Sequence, residues 1–450
     1  MAMKNDWRQK LHLEPFSGWL NDPNGLSFFN GMYHVYFQYC PDSPYGKGNK
    51  YWGHFQSPDL LKWEFTGIVL RPDEDFDKNG VYSGCGLVKG DELYLFYTGN
   101  VKHPGDYDYI TDGREANQVL VSTKDGHNMS KKLVLLGNYD YPKYCSCHVR
   151  DPKVWKENGR YKMVLGARRL DDTGCALIFT TSDDYKNELA GEWFFEKEIY
   201  KPNFGYMWEC PDIFELNGKK YLSISPQGLE HTEFEHQNVY SSGYFDESMA
   251  DFTEWDYGFD FYAPQTFETP DKRRLLIGWM GIGDIPYTNP TAEKGWQHCL
   301  TMPREISLDE SGRLVQKPFG ELDSLRREKF GFSSGDAVKT ELPFELNAAV
   351  DHDFEIKFDY MALRYKNGVF TMQFTDDKVG CGRTRRSVKL PKCLDIRLIA
   401  DTSSMEIYLN GGQRVMSTRF YPQSTDADIR INGLNGNIYT LDGMEVKPRE

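Results

Sequence analysis

The chain has 450 residues, more than the roughly 250–300 at which one hydrophobic core usually splits, so a large domain with a smaller companion is the expected plan. Charged residues make up 27% and hydrophobic residues 39%, and no apolar run approaches the ~18 residues of a membrane-spanning helix. Asp and Glu number 67 against 53 Lys and Arg, and the resulting formal charge of −14 repels polyanions, which excludes nucleic acid as an expected partner.

The opening residues through Pro15 hold no apolar stretch behind a basic start, so nothing there reads as a secretory signal and a cytoplasmic location is expected. The nine cysteines are an odd number, scattered along the chain, and read as reduced thiols. Aromatic residues at 15% suit both sheet packing and stacking on sugars.

From Gly25 onward a hairpin pattern recurs: an apolar strand, a tight turn, then an aromatic-rich strand. The copies are GLSFF-NG-MYHVYFQY, GLV-KGD-ELYLFYTG, KVWKE-NG-RYKMVLGA, DIFEL-NG-KKYLSIS and TFET-PD-KRRLLIGWM, marked by Tyr33, Tyr94, Tyr161, Tyr221 and Leu275. Each is followed by a further strand-like run, such as WGHFQSPDLLKWEF after the first. Four strands per unit and five units predict a five-bladed β-propeller over residues 1–317, with the innermost strands lining a central channel.

A partly helical linker is expected at 318–334, on the segment Gly320 to Phe330. Beyond it, Phe354, Ile356 and Phe358 alternate with polar residues, as do Leu394, Ile396 and Leu398, and Met405, Ile407 and Leu409. That period of two predicts a β-sandwich over 335–450, so the whole chain is expected to be all-β.

Asp22, Asp151 and Glu209 stand eight, seven and eight residues before the hairpin turns at Asn30, Asn158 and Asn217. Asp-Pro and Asn-Gly are ordinary turn formers, but turn formation gives no reason for an acid at a matching offset in three repeats. Equivalent strand ends would aim all three carboxylates at one mouth of the channel. Two facing carboxyl groups are the minimum for glycoside hydrolysis, with one raised in pKa by burial and repulsion and the other kept ionised by donors such as Asn21 and Arg150.

WLNDPNG at 19–25, HVRDPKVW at 148–155 and MWECPD at 207–212 resemble the three acidic motifs of glycoside hydrolase family 32. The resemblance extends through YWGHFQSPDLLKW, DYGFDFYAPQTF and GWQHCLTMPRE to MEIYLNGG near the C-terminus. It implies a retaining β-fructofuranosidase, with Asp22 as nucleophile, Glu209 as general acid/base and Asp151 holding fructose hydroxyls. It also implies that Asn21, Gln38, Trp52, Ser83 and Arg150 surround the fructosyl ring. Two departures, Cys40 in Tyr-Cys-Pro and Cys85 in Ser-Gly-Cys, leave the acids untouched and bear on the substrate rim.

The expected substrate is sucrose or its 6-phosphate, a small-molecule sugar, with no metal or organic cofactor and no membrane partner. Lys50, Lys143, Arg168 and Arg169 are the candidates for a basic rim that would accept the phosphate, and Trp19, Trp52 and Trp279 are candidates for stacking on sugar. Cys145-x-Cys147-His148 lacks the second ligand pair of a zinc site, and the glycines at 278–283 lack the spacing that cradles a pyrophosphate. The alternatives are an exo-acting fructan or fructooligosaccharide hydrolase, a fructosyltransferase, and a sugar-binding propeller without catalysis.

Overall fold

The structure, a computed structural model, describes residues 5–184 and 188–449 and is nearly all-β. The predicted hairpins form where the turns were placed. Asn30-Gly31, Asn158-Gly159 and Asn217-Gly218 all have positive φ at both residues, the backbone that a two-residue hairpin turn requires.

Five antiparallel sheets follow one another up to Pro318. The first runs outward from Gly18–Phe29 through Met32–Cys40 and Tyr51–Ser57 to Lys62–Leu70. The second begins with Val81–Lys89, the third with Cys145–Glu157, the fourth with Met207–Leu216 and the fifth with Tyr262–Glu268. These five leading strands contact one another in cyclic order, the fifth closing against the first. Trp296–Gln297 pairs in parallel with Gly18–Phe29 at the inner edge of the first sheet, and Glu445–Pro448 pairs in parallel with Lys62–Leu70 at its outer edge. Both edges of the first sheet are thereby covered by distant chain.

The predicted linker contains less helix than expected. A short 3-10 turn spans Gly320–Leu325, and Arg326–Phe332 is already a strand, paired with Asn435–Leu441. Phe330 and Phe332, two residues apart, fall on one face of a strand but not on one face of a helix. Two six-stranded sheets then stack, one containing Phe344–Ala349 and Ser404–Leu409, the other Phe354–Phe358 and Met361–Lys366. The alternating residues singled out in the sequence, Ile356, Phe358, Ile396, Leu398, Met405 and Ile407, are buried in the shared core, whereas Leu394 is exposed.

The sandwich is bound to the five sheets by buried charge. Arg304, fully buried, donates from Nε to Glu406 Oε2 at 2.9 Å and from Nη2 to Asp256 at 3.0 Å. His12 lies between Asp401 at 2.8 Å and Glu406 at 3.1 Å, and Arg383 grips both oxygens of Asp260 at 2.8 Å. Each charge has a partner, which burial demands.

Candidate active site

Every leading strand is interrupted at the same place by a β-bulge, two residues facing one on the neighbour. In the first sheet Asn21 and Asp22 fall between the pairs Leu20–Tyr39 and Pro23–Phe37; in the second, Tyr82 and Ser83 fall between Val81–Gly99 and Gly84–Tyr97. In the third, Asp151 and Pro152 fall between Arg150–Gly166 and Lys153–Val164. Cys210-Pro211 and Ala263-Pro264 do the same in the fourth and fifth. Proline cannot donate to the ladder, so it settles at such an interruption, and the bulge turns adjacent side chains off the regular pleat. Asp151, Cys210 and Ala263 take positive φ there.

The bulges converge. Asn21, Asp22, Tyr82, Ser83, Arg150, Asp151, Glu209 and Tyr262 line one cavity of about 390 Å³, with Gln38, Lys50, Arg114, His148, Gln227 and Trp279 around them. The three acids predicted from matching offsets therefore share one space, and Asn21, Gln38, Ser83 and Arg150 join them as expected. Trp52 does not: it is fully buried, and its indole donates to the Tyr82 carbonyl at 3.0 Å, so it supports the cavity wall from behind.

Asp22 accepts from Ser83 Oγ at 2.5 Å on Oδ2 and from Asn21 Nδ2 at 3.1 Å on Oδ1. Asn21 is itself fixed, donating to Gln38 Oε1 and accepting from Trp19 Nε1 at 3.0 Å. Burial raises the Asp22 pKa above the ordinary carboxylate value, against the hydrogen bonds of Ser83 and Asn21, while the Glu209 charge adds to the rise.

Glu209 is held by four donors. Arg150 gives Nε at 3.2 Å and Nη2 at 2.6 Å to Oε1; Gln227 Nε2 at 2.6 Å and the Tyr262 hydroxyl at 2.7 Å reach Oε2. Asp151 accepts from the Cys210 amide at 2.9 Å, and burial, opposed by Arg150 and reinforced by Glu209, pushes its pKa up to about 7. Cys210 Sγ is 3.7 Å from both Asp22 Oδ2 and Asp151 Oδ2, a thiol wedged between two acids.

Sequence reasoning missed Tyr262, Gln227, Cys210 and Arg114. A signal for Tyr262 existed: Asn21-Asp22-Pro23, Arg150-Asp151-Pro152, Glu209-Cys210-Pro211 and Tyr262-Ala263-Pro264 each place a cavity residue two before a proline. Of the predicted rim cations, Lys50 lines the cavity, whereas Lys143 is exposed and Arg168 and Arg169 are paired with Asp172 and Glu198 at 2.6 and 3.0 Å. Cys85 accepts from the Val154 amide at 3.2 Å in the core, and Cys40 contacts the Lys47 carbonyl at 3.4 Å, so neither departure lies on the cavity. Of the three tryptophans, Trp279 lines this cavity and Trp19 a neighbouring one of about 340 Å³. Among the described residues no group of three or more His, Cys, Asp and Glu could hold a metal ion, and no helix is long and apolar enough to cross a membrane.

An acid pair and a third carboxylate converging in a sugar-sized cavity define a glycosidase-type site. Residues 12–318 match the glycosyl hydrolases family 32 N-terminal domain and residues 324–446 match the C-terminal domain of the same family, so the chain belongs to glycosyl hydrolase family 32. It is a glycosidase. It is 36% identical to the sucrose-6-phosphate hydrolase of Bacillus subtilis, over 98% of this chain and 95% of that one. It is 34% identical to a raffinose invertase of Escherichia coli, over 98% and 94%. Among solved structures, the sucrose-6-phosphate hydrolase of Lactobacillus gasseri superposes with a TM-score of 0.84 at 27% identity, covering 97% of this chain and 94% of that one. A mutant β-fructofuranosidase of Bombyx mori in complex with sucrose gives 0.83 at 27% identity, covering 98% and 95%.

Proposed function

We propose that the protein releases fructose from sucrose or sucrose-6-phosphate, with retention of configuration, through a covalent fructosyl-enzyme ester. The observation that carries this reading is that Asp22 and Glu209 line the same cavity with opposite surroundings: Asp22 is oriented by a hydroxyl and an amide, Glu209 by a cation, an amide and a phenol.

Asp22 attacks the anomeric carbon with one carboxylate oxygen, while Ser83 and Asn21 fix the angle of approach. Glu209 protonates the departing glycosidic oxygen, then takes a proton from the water that opens the ester. Burial, reinforced by the Glu209 charge and opposed by Arg150, lets Asp151 retain a proton to higher pH than an exposed carboxylate does. Asp151 and Arg150 bind hydroxyls of the fructosyl ring. In this reading the five sheets, with their leading strands in cyclic contact, are the blades of a five-bladed catalytic propeller over about residues 1–317, joined through the 318–334 segment to the sandwich domain, and the protein works in the cytoplasm.

Incubation of the purified chain with sucrose, with the first-released fructose anomer followed by NMR, tests the reading. Release of β-fructofuranose before mutarotation is expected; an inverted anomer, or no fructose from sucrose or its 6-phosphate, contradicts it.

A further inference from the structure

A line of contacts leads outward from the acid/base. Glu209 Oε1 is held by Arg150; Arg150 Nη1 meets His148 Nδ1 at 2.5 Å; Arg114 Nη1 meets His148 Nε2 at 3.1 Å and Nδ1 at 3.4 Å. Burial and the flanking guanidinium groups push the His148 pKa down to about 2, so the ring is neutral and offers one acceptor nitrogen. Arg150, at the shorter distance, takes that acceptor on Nδ1. Nε2 then carries the hydrogen, and it faces the Arg114 guanidinium donor to donor.

Arg114 is thereby left with poor hydrogen-bonding partners. Its Nε is buried without a hydrogen-bond partner, and among the described residues no carboxylate lies within 4.0 Å of it, although it lines the cavity. Lys50 lines the same cavity and donates at 2.6 Å to the Gly46 carbonyl; it too has no carboxylate that close among the described residues. A half-buried cation without an anion is costly unless one arrives with a ligand. The contrast with Arg168 and Arg169, both committed to acidic partners, separates these two cations from the ordinary surface.

We propose that Arg114, aided by Lys50, is the subsite for a phosphomonoester carried by the leaving-group sugar. The placement follows from the chemistry, and it rests on the fructosidase reading given above: the leaving oxygen must face Glu209, so the sugar attached to it extends along the side of the cavity where Glu209, Arg150, His148 and Arg114 succeed one another. Guanidinium donors match phosphate oxygens, and the anion would complete the hydrogen bonds that His148 cannot supply.

The test compares kcat/KM for sucrose-6-phosphate and sucrose in wild type, Arg114→Met and Lys50→Met, with glucose 6-phosphate, glucose and inorganic phosphate as separate binding probes in calorimetry. Wild type is expected to favour the phosphorylated substrate, and Arg114→Met to lower the ratio of the two kcat/KM values by about tenfold or more. Lys50→Met is expected to lower it in the same direction, which keeps the proposal testable if Arg114→Met misfolds. A ratio unchanged in both variants overturns the proposal, as does inorganic phosphate binding as tightly as glucose 6-phosphate, which would mark a free-anion site. If neither sugar is cleaved while glucose 6-phosphate still binds through Arg114, the fructosidase reading fails and the subsite stands. If sucrose is cleaved but glucose 6-phosphate binds no better than glucose, the subsite fails and the reading stands.

Discussion

Arg150 commits two nitrogens, Nε at 3.2 Å and Nη2 at 2.6 Å, to a single oxygen of Glu209, leaving the other oxygen to Tyr262 and Gln227. One oxygen is anchored by charge and the other by the Gln227 amide and the Tyr262 hydroxyl, of which the hydroxyl can both donate and accept. Arg150→Ala frees the anchored oxygen and lets Glu209 rotate. A loss of kcat of about 10²–10³-fold is expected, with a shifted pH profile, measured on purified variant and wild type side by side.

Tyr262→Phe keeps the ring and removes the hydroxyl that reaches Glu209 at 2.7 Å and the Ser225 carbonyl at 3.2 Å. The expected result is a fall in kcat of about tenfold, a KM close to wild type and an unfolding midpoint within a few degrees of wild type. An unchanged kcat removes Tyr262 from the set of groups that position Glu209, the proposed acid/base.

Asp151, proposed to bind the fructosyl ring, is held in the fold at a cost in stability. Its pKa rises from 3.8 to about 7, mainly by burial, so the folded chain holds a proton that the unfolded chain has lost. Stability therefore falls as pH rises from 3.8 to about 7. Asp151→Asn removes the buried ionisation, keeps an acceptor for the Cys210 amide, and is expected to stabilise the fold by about 1–2 kcal/mol above neutrality while activity falls by orders of magnitude. Urea unfolding at neutral and alkaline pH, beside turnover, measures both.

His12 has the same sign of pH dependence from the other protonation state, since here the charged form is the favoured one. Burial lowers its pKa, but hydrogen bonds and charge from Asp401 and Glu406 outweigh burial and raise it from 6.5 to about 9. The stability contributed by the charged ring is fully present below pH 6.5 and is lost as pH climbs through about 9. His12→Ala leaves two buried carboxylates without this partner and is expected to cost about 3–5 kcal/mol at neutral pH, with a smaller deficit above pH 9. Denaturant titrations across that range check the sign.

The three acids were legible in the sequence through a near-constant distance to a tight turn, and Asn21, Gln38, Ser83 and Arg150 through the motif resemblance. Asp22, Asp151 and Glu209 each precede an Asn-Gly hairpin by a similar interval, and the turn fixes register, so offset became position. Gln227 sits on the second strand of its sheet and Arg114 on a third strand, where no turn offset marks them. Trp52 shows the converse: its motif placed it beside the cavity, but the alternation of its strand puts the indole behind Tyr82. The segment from Gly320 carried enough Leu, Glu and Arg to suggest a helix, yet pairing with Asn435–Leu441 drew Arg326–Phe332 into a sheet.

The role of Asp22 is tested most directly with β-fructosyl fluoride, whose leaving group needs no proton, and Glu209→Gln, which lacks the base for the second step. Acid quenching followed by peptide mass mapping is expected to find a fructosyl ester accumulated on the peptide carrying Asp22. An adduct on another residue, or wild-type turnover of the fluoride by Asp22→Ala, would contradict the account.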